Sequence, residues 1–68
     1  MNEELLNIQV RKFLKKVGIQ SQREIEQAVK DRMRKGTLTG KENLVATMLL
    51  EVPEIDLRVS IDGKIEIE

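Results

Sequence analysis

The chain contains no His, Cys, Trp or Tyr among its 68 residues, and only one Phe and one Pro. The absence of Cys excludes disulfides and thiolate zinc sites. The absence of His removes the commonest metal ligand and the side chain that titrates near neutral pH. A chain this short buries only about 60% of its unfolded surface, so it is marginal as an isolated domain. Small domains are usually supported by disulfides, a metal or oligomerisation, and without Cys and His the remaining support is oligomerisation.

Long apolar runs are absent as well. The longest is the three-residue stretch Met48-Leu49-Leu50, which is far short of a membrane span. The sequence opens on Met1-Asn2-Glu3-Glu4, without the basic segment and apolar run of a secretory signal. We therefore expect a soluble, cytoplasmic protein with no membrane partner.

Charge is divided between the two halves of the chain. Residues 1–36 carry nine Lys/Arg and five Asp/Glu, a balance of +4, whereas residues 37–68 carry three and seven, a balance of −4. The hydrophobic period changes from helical to alternating at the same place. The sequence thus predicts a basic helical half followed by an acidic sheet half.

The first half predicts two helices. Asn2 is a suitable N-cap, and Gly18 suits the left-handed position that ends a helix, which gives a first helix over residues 3–17. The segment Ser21-Gln22-Arg23-Glu24 matches a capping box and predicts a second helix over 21–35, which Gly36 ends. The apolar stripes are Leu6, Val10, Phe13, Leu14 and Val17 in the first helix, and Ile25, Ala28, Val29 and Met33 in the second.

The second half predicts three strands, over about residues 43–51, 56–61 and 64–68. A two-residue turn at Pro53-Glu54 sets Leu50 opposite Leu57, Met48 opposite Val59 and Ala46 opposite Ile61, although it also places Glu51 against Asp56. A three-residue loop with a left-handed Gly63 sets Val59 opposite Ile65, Leu57 opposite Ile67 and Arg58 opposite Glu66.

These elements predict a single small α+β domain over residues 1–68. Its N-terminal helical hairpin packs on a three-stranded antiparallel β-meander, in the order α-α-β-β-β. Both turns place the apolar side chains on one face of the sheet, which the helices would cover. Met48, Leu57, Val59 and Ile65 are then expected to line a buried layer.

Candidate catalytic groups are few. The carboxylates near the turns, Glu51, Glu54, Asp56 and Asp62, are expected to be solvated. Ser21 is expected to act as a helix cap, and Ser60 lies on the open face of a strand with no His available as a base. We therefore expect no enzymatic activity, no metal site and no cofactor.

The basic side chains suggest nucleic acid as the less favoured partner. Two helices with a tight turn, followed by a β-hairpin, have the outline of a truncated winged helix whose second helix could lie in a groove. Against this, Glu24, Glu26 and Asp31 interrupt the basic field, and Phe13, the only aromatic residue, belongs to the core stripe. The candidate contacts are Arg23, Gln27, Lys30 and Arg34.

Self-association is the favoured hypothesis. The segment 43–50 is uncharged and lies at an edge of the predicted meander, and natural proteins rarely leave such an edge bare. Antiparallel pairing of two copies of this strand across a two-fold axis would give a homodimer. The candidate dimer contacts are Val45, Thr47, Leu49, Leu5 and Ile8. The leading interpretation is a non-enzymatic module for protein contacts, with itself and with a partner that the sequence does not identify.

The sequence also resembles a known family. The chain is similar to very short bacterial proteins of unknown function in five segments: Asn2-Glu3, residues 11–19 (RKFLKKVGI), residues 21–26 (SQREIE), Ala28-Val29 and the late Asp62-Gly63-Lys64-Ile65-Glu66. That family's closing segment more often has an acidic residue where Lys64 stands. The resemblance covers nearly the whole chain and implies a free-standing domain. It carries over no catalytic, metal or ligand residue.

Overall fold

A computed structural model describes residues 1–68 as one helix followed by one β-hairpin. Helix α1 spans Glu3–Lys35, strand β1 Asn43–Val52, a short 3-10 turn Pro53–Ile55 and strand β2 Leu57–Glu66. The chain divides into two units, Met1–Thr37 and Leu38–Glu68. The structure contains no helix that is both long enough and apolar enough to cross a lipid bilayer.

Both ends of α1 are capped as the sequence predicted. The Leu5 amide donates to Oδ1 of Asn2 at 3.0 Å, and Glu3 and Glu4 occupy the first turn, where the helix dipole favours anions. At the other end Gly36 is left-handed, with φ of 80°. Its amide donates to the Met33 carbonyl, while the Thr37 amide donates to the Arg32 carbonyl at 2.9 Å, which together form a Schellman motif.

The prediction of two helices, over 3–17 and 21–35, is wrong, because the helix continues through Gly18 and Ser21. A mid-helix glycine costs only about 1 kcal/mol relative to alanine. A break would instead leave backbone N–H and C=O groups without partners at two new helix ends. The six residues after Gly18, Ile19 to Glu24, include no proline and can all remain helical. The turn needed for a helical hairpin or a winged-helix corner is therefore absent.

The two strands pair antiparallel over their whole length, in a register two residues away from the predicted one. Leu50 lies opposite Val59, Met48 opposite Ile61 and Ala46 opposite Gly63. The turn is wider than predicted because it includes Asp56 in the left-handed conformation, which Asp tolerates better than most residues. This register sets Glu51 opposite Arg58 and so replaces the expected like-charge pair with an opposite-charge pair. A shift of two residues leaves the faces of the strands unchanged.

The predicted third strand does not exist as a separate element, because β2 runs through Asp62 and Gly63 without a turn. Gly63 has no positive φ, and it pairs with Ala46. A turn there would have left the first residues of β1 without partners on β2. The continuous strand gives them a ladder that extends to Asn43 opposite Glu66. The pairing of Arg58 with Glu66, and the α-α-β-β-β order, are therefore wrong.

The hairpin is amphipathic, but its apolar side forms no core. We call this side the apolar face of the hairpin. It consists of Leu44, Ala46, Met48, Leu50 and Val52 on β1, and Leu57, Val59, Ile61, Gly63 and Ile65 on β2. Met48 and Val59 are each 42% exposed, and Leu57 and Ile65 are only half-buried. The prediction that these four residues line a buried layer is wrong, since no residue of the chain is buried.

Candidate functional site

The continuous helix brings basic residues from both halves of α1 into one row. At about 100° per residue, five cations fall within an arc of about 40°, namely Lys12, Lys16, Arg23, Lys30 and Arg34. Arg34 is paired with Asp31, and the other four span about 27 Å of helix axis. We call these four residues the basic stripe. No Asp or Glu falls within its arc, although Glu26 lies beside it, one turn from Lys30. The stripe is a consequence of the single helix, because a break at Gly18 would have separated its two halves.

The cations of the basic stripe are free of ion pairs within the chain. The one ion pair in the structure joins Arg34 to Asp31, in the turn that follows the stripe. Gln27 also donates to Oδ1 of Asp31, at 3.2 Å. Of the four predicted nucleic-acid contacts, Gln27 and Arg34 are therefore engaged with Asp31. Arg23 and Lys30 are available to an external anion.

A shallow groove runs beside the N-terminal part of the stripe, with a volume of about 420 Å³. Its lining is mainly basic, with one apolar and one amide side chain among the cations. The lining residues are Lys12, Lys15, Lys16, Ile19, Gln20 and Arg23. No carboxylate lines this groove, so the only charge that it presents to a ligand is positive.

An exposed apolar stripe lies on the other side of the same helix. Its N-terminal part, from Leu6 to Val17, is centred about 130° around the helix axis from the basic stripe. Phe13 is 54% exposed and Leu14 is 52% exposed. The basic stripe and this apolar stripe therefore face directions about 130° apart.

The predicted dimer contacts fall in two places. Val45, Thr47 and Leu49 lie on the polar face of the hairpin, opposite Lys64, Asp62 and Ser60 respectively. Val45 is 75% exposed, and Leu49 is also exposed. Leu5 and Ile8 are exposed residues near the start of α1, and Ile8 lines a second shallow groove with Glu3, Glu4 and Asn7. The structure thus places the hairpin contacts and the helix contacts in separate units.

The turn carboxylates do not converge. Glu51 lies opposite Arg58, and Asp62 lies opposite Thr47. Glu54 belongs to the 3-10 turn, and Asp56 follows it. No group of three or more acidic residues is arranged to hold a metal ion.

One carboxylate that the sequence did not single out organises the connector between α1 and β1. Glu42 accepts hydrogen bonds from the amides of Thr39, Gly40 and Lys41 at 2.9 to 3.2 Å, and from the Thr39 hydroxyl at 3.0 Å. Hydrogen bonds to the carboxylate lower the pKa of Glu42 to about 2. The largest contribution comes from the Thr39 amide, followed by the Glu42 amide, the Thr39 hydroxyl and the Gly40 amide. These amides form an anion-binding nest that the chain fills with its own side chain.

The sequence contained a signal for each of the features that were missed. Thr39-Gly40-Lys41-Glu42 is a turn sequence that ends in an acceptor, which indicates a side-chain cap of the backbone. The basic stripe could have been found by continuing the helical period through Gly18. Its residues then recur at positions 12, 16, 23 and 30 on one helix face.

A capped, charged helix and a two-stranded hairpin define the class of this protein as a small α+β protein. Within that class, a family model described as a family of unknown function, DUF6494, matches residues 1–68, and the chain belongs to this family. This confirms the resemblance to a family of unknown function. No curated protein shows significant similarity to the chain. No solved structure does so either.

Proposed function

We propose that this protein is a non-enzymatic protein-interaction module that acts as a homodimer in the cytoplasm. The observation that carries the proposal is the absence of any buried residue in the chain. On the apolar face of the hairpin, Met48 and Val59 are each 42% exposed and Ile61 is 55% exposed.

The exposed apolar side chains have the character of an obligate dimer interface. Such interfaces are more apolar than transient ones and resemble a divided core. A second copy supplies an identical apolar surface, as an isologous two-fold contact requires.

The apolar face of the hairpin is the contact that we place at the centre of this dimer. A two-stranded hairpin is marginally stable in water unless further strands or a helix cover its apolar face. Three aliphatic pairs lie along this face, namely Leu44 with Ile65, Leu50 with Val59 and Val52 with Leu57. Two such faces stacked about 10 Å apart would bury these pairs in a shared core. The edge contact through Val45, Thr47 and Leu49 remains a separate hypothesis for the same dimer.

Sedimentation velocity of the pure chain at micromolar concentration tests the proposal. A dimer is expected, and a folded monomer would refute it. Ile61→Glu places a carboxylate on the apolar face, where Ile61 is 55% exposed in the single chain. Burial of an unpaired charge costs about 3 kcal/mol or more, so the Kd of the dimer should rise at least about 100-fold.

Ser60→Glu is the matched control, since it adds the same charge one residue away on the polar face. It should leave the dimer intact. Val45→Lys separates the two contact hypotheses, because it should disrupt pairing of the 43–50 edges but leave stacked apolar faces in place. Fractionation of cells of the native host should recover the protein with the soluble cytoplasmic proteins.

A further inference from the structure

We propose that the basic stripe of α1 binds the sugar-phosphate backbone of duplex nucleic acid, without reading its sequence. Lys12, Lys16, Arg23 and Lys30 form one row of about 27 Å on a single helix face. None of the four is in an ion pair, and no acidic residue lies within their arc. Unneutralised cations in a row are complementary to a polyanion with regularly spaced charges.

The arrangement of the row favours contact with phosphates over contact with bases. A recognition helix inserted in the major groove needs side chains that reach base edges, with phosphate contacts on either side of the helix. The stripe is instead narrow, and three of its four members are lysines, which act as point charges toward phosphate. Such contacts fix position along the backbone but carry no sequence information.

A lipid surface fits the same charges less well. A helix that lies in a bilayer interface buries its apolar face and keeps its cations close to the headgroups. In α1 the basic stripe is about 130° around the axis from the apolar stripe between Leu6 and Val17, so insertion of the apolar side would turn these cations toward water. A soluble polyanion can reach the stripe whether or not the apolar side is covered.

The acidic residues of a second copy do not form a matching row. On the polar face of the hairpin Glu51 lies opposite Arg58, and Lys64 lies between Asp62 and Glu66 along β2. Positive and negative charges therefore alternate there, whereas a duplex presents one negative charge per 1.7 Å of axis. Nucleic acid is the polyanion whose charge pattern corresponds to the stripe.

The test measures binding of the full chain to a fluorescently labelled 24-base-pair DNA duplex by anisotropy, between 50 and 200 mM KCl. Four phosphate contacts per helix predict a slope of log Kobs against log salt of about −3.6, or about a 150-fold loss of affinity over this range. A second duplex of unrelated sequence should bind with the same affinity.

A pair of double variants locates the contact. Arg23→Gln with Lys30→Gln removes two charges from the stripe and should reduce the slope to about −1.8. Arg11→Gln with Arg32→Gln removes the same charge from the same helix but outside the arc of the stripe. The control should retain the slope of about −3.6. Circular dichroism at 222 nm establishes that both variants keep their helix.

Four results would overturn the proposal. The first is no binding of the duplex by the unsubstituted chain at 50 mM KCl. The second is an equal loss in both double variants, which would indicate an effect of net charge alone. The third is flotation with phosphatidylserine vesicles in the absence of duplex binding. The fourth is salt-sensitive self-assembly that depends on Arg23 and Lys30, again without duplex binding. Because the stripe lies on α1, these outcomes are independent of whether the hairpin forms the dimer.

Discussion

The helix and the hairpin are stabilised by interactions of different range. In α1 the partners of each backbone group lie four residues away, and both ends are closed by nearby groups, Asn2 at the start and Gly36 with Thr37 at the end. In the hairpin the partners are up to 23 residues apart, from Asn43 to Glu66. Its apolar face is exposed. The helix therefore depends mainly on its own sequence, whereas the hairpin depends on what covers it.

This difference separates two roles within one small chain. A local element such as α1 can hold its charges in a fixed row without a tertiary core, because the helical period positions them. The hairpin presents an apolar surface that leaves water only when another surface packs against it. The positive balance of the first unit and the negative balance of the second follow the same division, +4 for Met1–Thr37 and −4 for Leu38–Glu68.

The largest effect should come from dividing the chain at the boundary between the two units. A peptide of residues 1–37 should retain partial helicity that does not change with concentration, because its 33-residue helix exceeds the length at which isolated helices become marginal. A peptide of residues 38–68 should be unfolded when dilute and become ordered only as its concentration rises. Circular dichroism over a concentration series measures both. A hairpin peptide that is folded as a monomer would contradict the comparison.

The next largest effect is a loss of helix stability on substitution of Gly36, the residue that ends the helix. Its φ of 80° lies in the left-handed region, where a residue with a Cβ is strained. Gly36→Ala should therefore destabilise the C-terminal turn of α1 by about 1–2 kcal/mol. Amide exchange at positions 36 and 37, compared between the variant and the unsubstituted chain, measures the loss, since these two amides make the capping hydrogen bonds. Unchanged protection would show that the cap contributes little.

Substitution of Gly18 is expected to stabilise the helix, by less than substitution of Gly36 destabilises it. This glycine is helical, and a Cβ built on it would meet no atom within 4 Å. Gly18→Ala should raise helix stability by about 0.5–1 kcal/mol, because alanine loses less backbone entropy on folding. The shift in thermal melting at 222 nm measures the gain. A loss of helicity would indicate that the middle of α1 needs glycine for a contact outside the single chain.

Gly18, inside the helix, and Gly63, inside the second strand, explain where prediction from the sequence failed. Asn2 and Gly36 were correctly assigned as the ends of a helical region, and Asn43 was correctly assigned as the first residue of a strand. Gly18 and Gly63 were interpreted as a stop and a turn, but glycine permits a positive φ without requiring it. At both positions continuation satisfies more backbone hydrogen bonds than a break would. The residues near each glycine do not show how many backbone hydrogen bonds the whole helix or strand gains by continuing.

The basic stripe and the apolar face of the hairpin also show what local sequence patterns can and cannot predict. Arg23, Gln27, Lys30 and Arg34 were assigned to one stripe of the second predicted helix, and the break assumed at Gly18 hid the alignment of Arg23 and Lys30 with Lys12 and Lys16. The apolar face of the hairpin was correctly assigned to alternate residues, because the register error of two positions preserves faces. What covers that face could not be read from the alternation, since the pattern is the same for a helix, a sheet or a second chain.

The smallest expected effect lies in the connector and concerns pH. The pKa of Glu42 is lowered to about 2 from a reference of 4.5, so the ionised form is the one that the folded loop favours. Ionised Glu42 stabilises the folded loop fully at a pH above the pKa of this group in the unfolded chain, and the stabilisation is lost as the pH falls through about 2. The amide shifts of Thr39, Gly40 and Lys41, measured by ¹H–¹⁵N NMR, should therefore titrate together with a midpoint near pH 2. In Glu42→Gln these amides should show no such titration, because the carboxylate is gone. A midpoint near 4.5 in the unsubstituted chain would mean that the nest does not hold Glu42 in solution, and that the connector is ordered, if at all, by the elements on either side of it.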